Sequence, residues 1–196
     1  MIATKKELKF YIMADRIMNG HSARPALFEK IIASIGVTPP CLLIIKYLKL
    51  MRKASFYESI EHSGLVFKLL SKWYNLRYHR ISMKLGFSIG KNVFGYGLVI
   101  PHYGTIVVNG GVKAGKYCVL HTSTCIGGSN KVIGDSLYLS AGAKIMGSLS
   151  LGDGVSVAAG SVVNKSAGDN VLLAGMPAVA VRDHYPIWYE KNICRG

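Results

Sequence analysis

The chain has six histidines, the side chains best suited to acid–base chemistry near neutral pH: His21, His62, His79, His102, His121 and His184. An imidazole with an ordinary pKa of about 6.5 can take up or release a proton there. His102 stands apart by its setting. It sits between Pro101 and Tyr103 in LVIPHYGTIVVNGG, where a strongly periodic sequence falls slightly out of step. A histidine so placed is either a base or a polar residue in a turn, and the stretch alone does not separate the two. His21, His62 and His79 lie in a helical-looking region, where surface or packing roles are the default. His121 follows Leu120, which should point inward, so His121 should project and either line a site or meet solvent. His184 lies beyond the repeat. The cysteines, Cys41, Cys118, Cys125 and Cys194, form no CxxC pair and no metal-type cluster. Free thiols in a reducing compartment and no metal are the expectation.

The elements that position these residues fall into two parts. Residues 1–85 read as helical. TKKELKFYIMADRIMNG ends in Asn-Gly, a helix stop. RPALFEKIIASIG opens with Pro near its first turn and ends in Gly. Pro39-Pro40 opens a third segment, with Leu43, Tyr47, Leu50 and Met51 three and four apart. A fourth runs through Leu65, Leu69, Trp73, Leu76 and Ile81, and its aromatic residues are expected to pack helix on helix.

After Gly86 the period becomes six. Apolar residues recur at Val108, Ala114, Leu120 and Ile126 and, after a one-residue slip, at Ile133, Leu139, Ile145, Leu151, Val157 and Val163. A second series sits four places after most of them: Val112, Cys118, Thr124, then Leu137, Ala143, Leu149, Val155 and Ser161. Six fits neither the 3.6-residue helix nor simple alternation. It fits a short strand and a tight turn repeated as a coil, with one large and one small inward residue per unit and Gly, Asp, Asn or Ser at the turns. Such coils stack about 4.8 Å apart and are stabilised by their neighbours.

Three motifs carry a family resemblance. HYGTIVVN (102–109), STCIGG (123–128) and the set SAGAKIMG, AAGSVVNK and AGMPA resemble segments of the hexapeptide-repeat acyltransferases. Within them the likeness is to the branch of serine O-acetyltransferases and polysaccharide O-acetyltransferases. The resemblance covers residues 86–182 and implies a mainly β fold: a left-handed parallel β-helix of triangular section, preceded by the helical region (1–85) and followed by a tail (183–196). It implies acetyl-CoA as co-substrate, with His102 as general base in direct transfer. Gly127, Gly128, Ala141, Ala159 and Lys165 would contact the cofactor. It further implies a homotrimer or a dimer of trimers, with the acetyl-CoA site between subunits.

The chain departs from that pattern in four places. Pro101 and Phe87 stand where the family carries carboxylates that partner the histidine. The imidazole would then be oriented by a backbone carbonyl, or by a carboxylate of the helical region such as Asp15, which would lie at the acceptor site. The family's glutamate after VV aligns with Gly110, leaving adjacent Asn109 to position the acceptor. GGSNKVIG lacks the longer loop whose histidine helps to bind serine. A carbohydrate hydroxyl of a surface polysaccharide or its precursor therefore leads as the expected acceptor. Serine is the alternative, and a non-catalytic β-helix that oligomerises or binds stays open as another class.

The 24 Lys and Arg against 10 Asp and Glu give +14 over 196 residues, half of them hydrophobic. That composition fits one folded domain and argues against global disorder. Residues 1–88 hold 15 of the basic residues and 5 of the acidic ones. This excess suits an anionic glycan or lipid headgroups, or a solvated basic surface. No nucleic-acid recognition motif accompanies it. The N-terminal segment lacks the apolar core and cleavage site of a signal peptide, and CLLII is far short of the ~20 residues of a spanning helix. A cytoplasmic protein is expected, with peripheral contact at the inner face of the membrane left open.

Overall fold

The period of six is realised as three parallel sheets that form the faces of a coil. A computed structural model describes residues 2–25, 29 and 39–189. The first face stacks β1 (Phe87–Ile89), β2 (Ile106–Val108), β5 (Thr124–Ile126), β8 (Lys144–Ile145) and β11 (Val162–Val163). The second stacks β4 (Val119–Leu120), β7 (Tyr138–Leu139), β10 (Ser156–Val157) and β12 (Leu172–Gly175), and the third β3 (Lys113–Ala114), β6 (Val132–Ile133) and β9 (Ser150–Leu151). The chain passes from first to third to second face and back, for about five turns, and the sheets match the expected left-handed β-helix.

Both inward series close the core. Leu120, Ile126, Leu139, Ile145 and Val157 are wholly buried, as are Leu137, Ala143 and Val155 of the second series. A fully buried Leu, Ile or Val contributes roughly 1.5–3 kcal/mol relative to exposure. Sliding the phase by one residue would turn these side chains out, so the phase is strongly fixed. The one-residue slip is a corner: Val108 pairs with Ile126, eighteen residues on, but Lys113 pairs with Val132, nineteen on. The corner over 127–131 holds the extra residue.

The helices supply partners to the first coil, which has no coil before it. They are α1 (Lys5–Met18), α2 (Pro40–Ser59) and α3 (Leu65–Leu85). RPALFEKIIASIG lies almost wholly outside the described residues. The Ser82 hydroxyl of α3 donates to the Phe87 carbonyl at 2.7 Å, and the Tyr78 hydroxyl donates to the Ile89 carbonyl. Arg52 of α2 donates to the carbonyls of Phe94 and Gly95 at 2.8 and 2.6 Å. Buried backbone polar groups need partners, and the helical region acts as the polar cap that a solenoid end requires. Tyr47 and Met51 are wholly buried behind this cap, and Tyr47 packs edge-on against Phe87 at 5.1 Å.

One expectation for α3 is corrected. Its inward side is Ser71, Tyr78, Ile81, Ser82 and Leu85, whereas Leu65, Leu69, Trp73 and Leu76 are exposed. The apolar periodicity was real but ran along the outer side, because the inner side uses tyrosine and serine to reach carbonyls of the coil.

At the other end β13 (Ala178–Arg182) folds back antiparallel on β12 through AGMP. The segment after it returns along the solenoid, where the Trp188 indole N–H donates to the Tyr117 carbonyl at 2.8 Å.

Candidate active site at a coil corner

His102 lies on the corner between the second and first faces. Val99 pairs with Val119, twenty residues on, and Ile106 with Thr124, eighteen on. The corner carrying His102 is thus two residues longer than the one stacked on it. Pro101, His102 and Tyr103 are exposed there. The corner is tight beneath them: Gly104 adopts φ +133°, and a Cβ on it would lie 2.4 Å from the Thr122 hydroxyl. The strand leading in is held from α1. The carboxylate of Asp15 accepts from the Gly97 and Leu98 amides at 2.8 and 3.0 Å, and the Asn19 amide bonds Leu98 and Ile100. His102 therefore stands on a protrusion whose base is fixed.

Asp15 does not meet the solvent-facing site. It is 1% exposed, and Arg52 donates to both its oxygens at 2.8 and 3.1 Å. The expectation of a substrate contact is corrected: the carboxylate is spent on a buried guanidinium and on two backbone amides. It anchors the backbone at Gly97 and Leu98, ahead of the His102 corner.

The residues expected around acetyl-CoA, together with Asn109 expected at the acceptor, divide between the two edges of the first face. Ala141 and Ala159 share the edge of His102, and the Gly160 amide donates to the Ala141 carbonyl at 3.0 Å, so the two corners stack eighteen residues apart. Gly127, Gly128, Asn109 and Lys165 lie on the opposite edge, across strands of two or three residues. Ala141, Ala159, Gly128, Asn109 and Lys165 are exposed. Asn109 uses its side-chain oxygen to accept from the Gly111 amide at 2.8 Å, which closes its turn.

Two site features go beyond the sequence reading, which left His121 open between a site and solvent and did not single out Lys131. His121, next along the His102 edge, bonds the Tyr138 hydroxyl through Nε2 at 2.8 Å. Burial, then the neighbouring His102 imidazole, pushes its pKa below the ordinary value, so it stays neutral where a charge would oppose protonation of His102. The spacing of seventeen, close to one coil, was the available signal. The second is Lys131, 1% exposed, whose ammonium donates to the Gly127 carbonyl. Burial lowers its pKa. It locks the Gly127–Gly128 corner from within. A groove of about 810 Å³ between α3 and the first face is lined by Tyr78, His79, Phe87, Ser88 and Lys91 but not by His102. Among the described residues no cluster of His, Cys, Asp and Glu is placed to hold a metal ion.

Known structures share this architecture. Serine acetyltransferase from Brucella abortus superposes with a TM-score of 0.65 at 21% identity, over 91% of this chain and 70% of that one. The chain has the serine acetyltransferase fold. The Neisseria gonorrhoeae enzyme in complex with serine aligns with a TM-score of 0.62 at 20% identity, again over 91% and 70%. The Brucella abortus enzyme in complex with coenzyme A gives 0.62 at 20%, over 91% and 69%. In sequence, the serine acetyltransferase of Buchnera aphidicola is 33% identical over 112 residues, 52% of this chain and 40% of that protein. That of Synechococcus elongatus is 29% identical over 90 residues, 42% and 37%. The chain thus matches about two fifths of the length of these relatives. No family model matches it. Each superposition covers 91% of this chain, which takes in helices as well as the β-helix.

Proposed function

We propose that this protein is an acetyl-CoA-dependent O-acetyltransferase with His102 as its general base. The observation that carries the reading is the two-residue insertion that lifts an exposed imidazole onto the edge shared by Ala141 and Ala159. The imidazole takes the proton of the acceptor hydroxyl as its oxygen attacks the thioester carbonyl. The tetrahedral adduct then collapses, the carbon–sulfur bond breaks, and the thiolate leaves to be protonated. The products are the acetyl ester and free coenzyme A. Small residues at 141 and 159 let a narrow pantetheine arm approach the backbone.

Serine is the acceptor best supported by the comparisons, since the similar proteins are serine acetyltransferases and one is seen with serine. A carbohydrate hydroxyl, the acceptor first expected, is the second reading. Its support is the corner at 127–131, which is only one residue longer than the corner stacked before it and so shorter than the loop expected for serine. The division of cofactor residues over two edges supports a site completed by a neighbouring subunit in a trimer, and Val107, Val132 and Met146 leave apolar surface on or beside the faces for such packing. The deciding experiment follows thiol release from acetyl-CoA with serine and a panel of sugars. Release with serine alone establishes the first reading, release with a sugar alone the second, and none with any acceptor overturns the enzyme.

A further inference from the structure

We propose that α3 docks this protein on an anionic lipid surface through Leu65, Leu69, Trp73, Leu76 and Met83. These residues are 73, 58, 45, 50 and 75% exposed. At 3.6 residues per turn they fall on one side of the helix, opposite the buried Tyr78, Ile81 and Leu85. The helix therefore buries one side against the fold and leaves an apolar stripe exposed on the other.

The charge around the exposed stripe selects its occupant. α3 carries Lys68, Lys72, Arg77, Arg80 and Lys84 and no acidic residue, and all five are exposed. Lys68 and Lys72 flank one margin of the stripe, Arg77 and Lys84 the other, and Arg80 lies within it. Lysine and arginine in those places lay their stems on the apolar boundary and lift their charges to headgroup level. The Arg77 guanidinium already sits 4.6 Å from the Trp73 ring centre, which joins an interfacial aromatic to a cation. A second copy of the same face would set five positive charges against five, whereas an anionic bilayer complements them. The 21 residues of α3 make about 31 Å of helix, which would lie along the surface. No described helix is long and apolar enough to cross a membrane.

The test is independent of the reaction. The full chain is sedimented with vesicles of phosphatidylcholine alone and of phosphatidylcholine with 30 mol% phosphatidylglycerol, an order-of-magnitude choice of surface charge. The expected result is binding to the anionic vesicles, weakened by salt and at least about tenfold weaker on neutral ones. The double variant Leu69→Glu/Trp73→Glu, altered only at exposed positions, is expected to lose that binding with an unchanged melting temperature. A second variant, Lys68→Gln/Lys72→Gln, keeps the apolar stripe and is expected to bind anionic vesicles more weakly. Equal binding to both vesicle types, no binding to either, or full binding by the Glu variant overturns the proposal. So does a fall in molar mass of the Glu variant, without lipid, which would assign the face to a second copy.

Discussion

The Tyr138 hydroxyl lies 2.8 Å from Nε2 of His121, one coil away from the His102 corner. The pair fixes the ring of a second imidazole beside the proposed base. Burial and the His102 ring hold the His121 pKa below that of an unfolded histidine, so the unfolded chain binds the extra proton first as pH falls. Stability from this group is complete above the unfolded value of about 6.5 and is lost below it. The melting temperature should therefore drop between about pH 7 and pH 5, and less steeply in His121→Gln, in thermal scans across that range.

Removal of the base is the direct test of the corner. His102→Ala should lower kcat about 100- to 10,000-fold, the usual contribution of a positioned general base. Binding of coenzyme A should be little changed, as measured by calorimetry, because the proposed cofactor contacts are made by residues other than His102.

The corner also depends on a residue with no side chain. Gly104→Ala places a methyl 2.4 Å from the Thr122 hydroxyl at φ +133°, a conformation that costs non-glycine residues roughly 1–3 kcal/mol. The expected outcome is a stable coil with a displaced His102: circular dichroism nearly unchanged, a slightly lower melting temperature, and a larger loss in kcat than in stability.

The cap is held by a buried charge. Arg52→Met leaves the Asp15 carboxyl, 1% exposed, without its guanidinium partner and with only the Gly97 and Leu98 amides. Breaking one partner of a buried pair costs about 3–5 kcal/mol, and urea denaturation should show it. Asp15→Asn/Arg52→Met should recover part of the loss.

Thiol reactivity should follow burial. The Cys118 thiol, wholly buried, has its pKa pushed up to about 12 by burial. It should resist iodoacetamide in the native protein at about pH 8, where a free thiol is partly ionised, while exposed Cys41 labels. Peptide mapping by mass spectrometry reads both.

The repeat was legible because each inward residue repeats the demand of the last. Val108 to Val163 kept their phase, and the slip after Ile126 proved to be a corner. The irregular stretch at 101–104 was legible as an interruption for the same reason. Asp15 was not legible: its partners Arg52, Gly97 and Leu98 lie 37 to 83 residues away, and no periodicity announces a side chain reaching a distant backbone. The outward stripe of α3 misled for a related cause. Spacing shows that residues share a side of a helix but not which side meets the protein, and here serine and tyrosine took the inner side to serve the carbonyls of the coil.

Those carbonyls bear on how the molecule behaves in a crowded solution. A parallel coil is an open template at each end, ready to add another copy and grow as a fibre. Here Ser82, Tyr78 and Arg52 occupy the first rung, and β13 crosses the last in the opposite direction. Among the described residues, side chains of the helices therefore stand in for a preceding coil at the first rung, and an antiparallel strand ends the second face at the last.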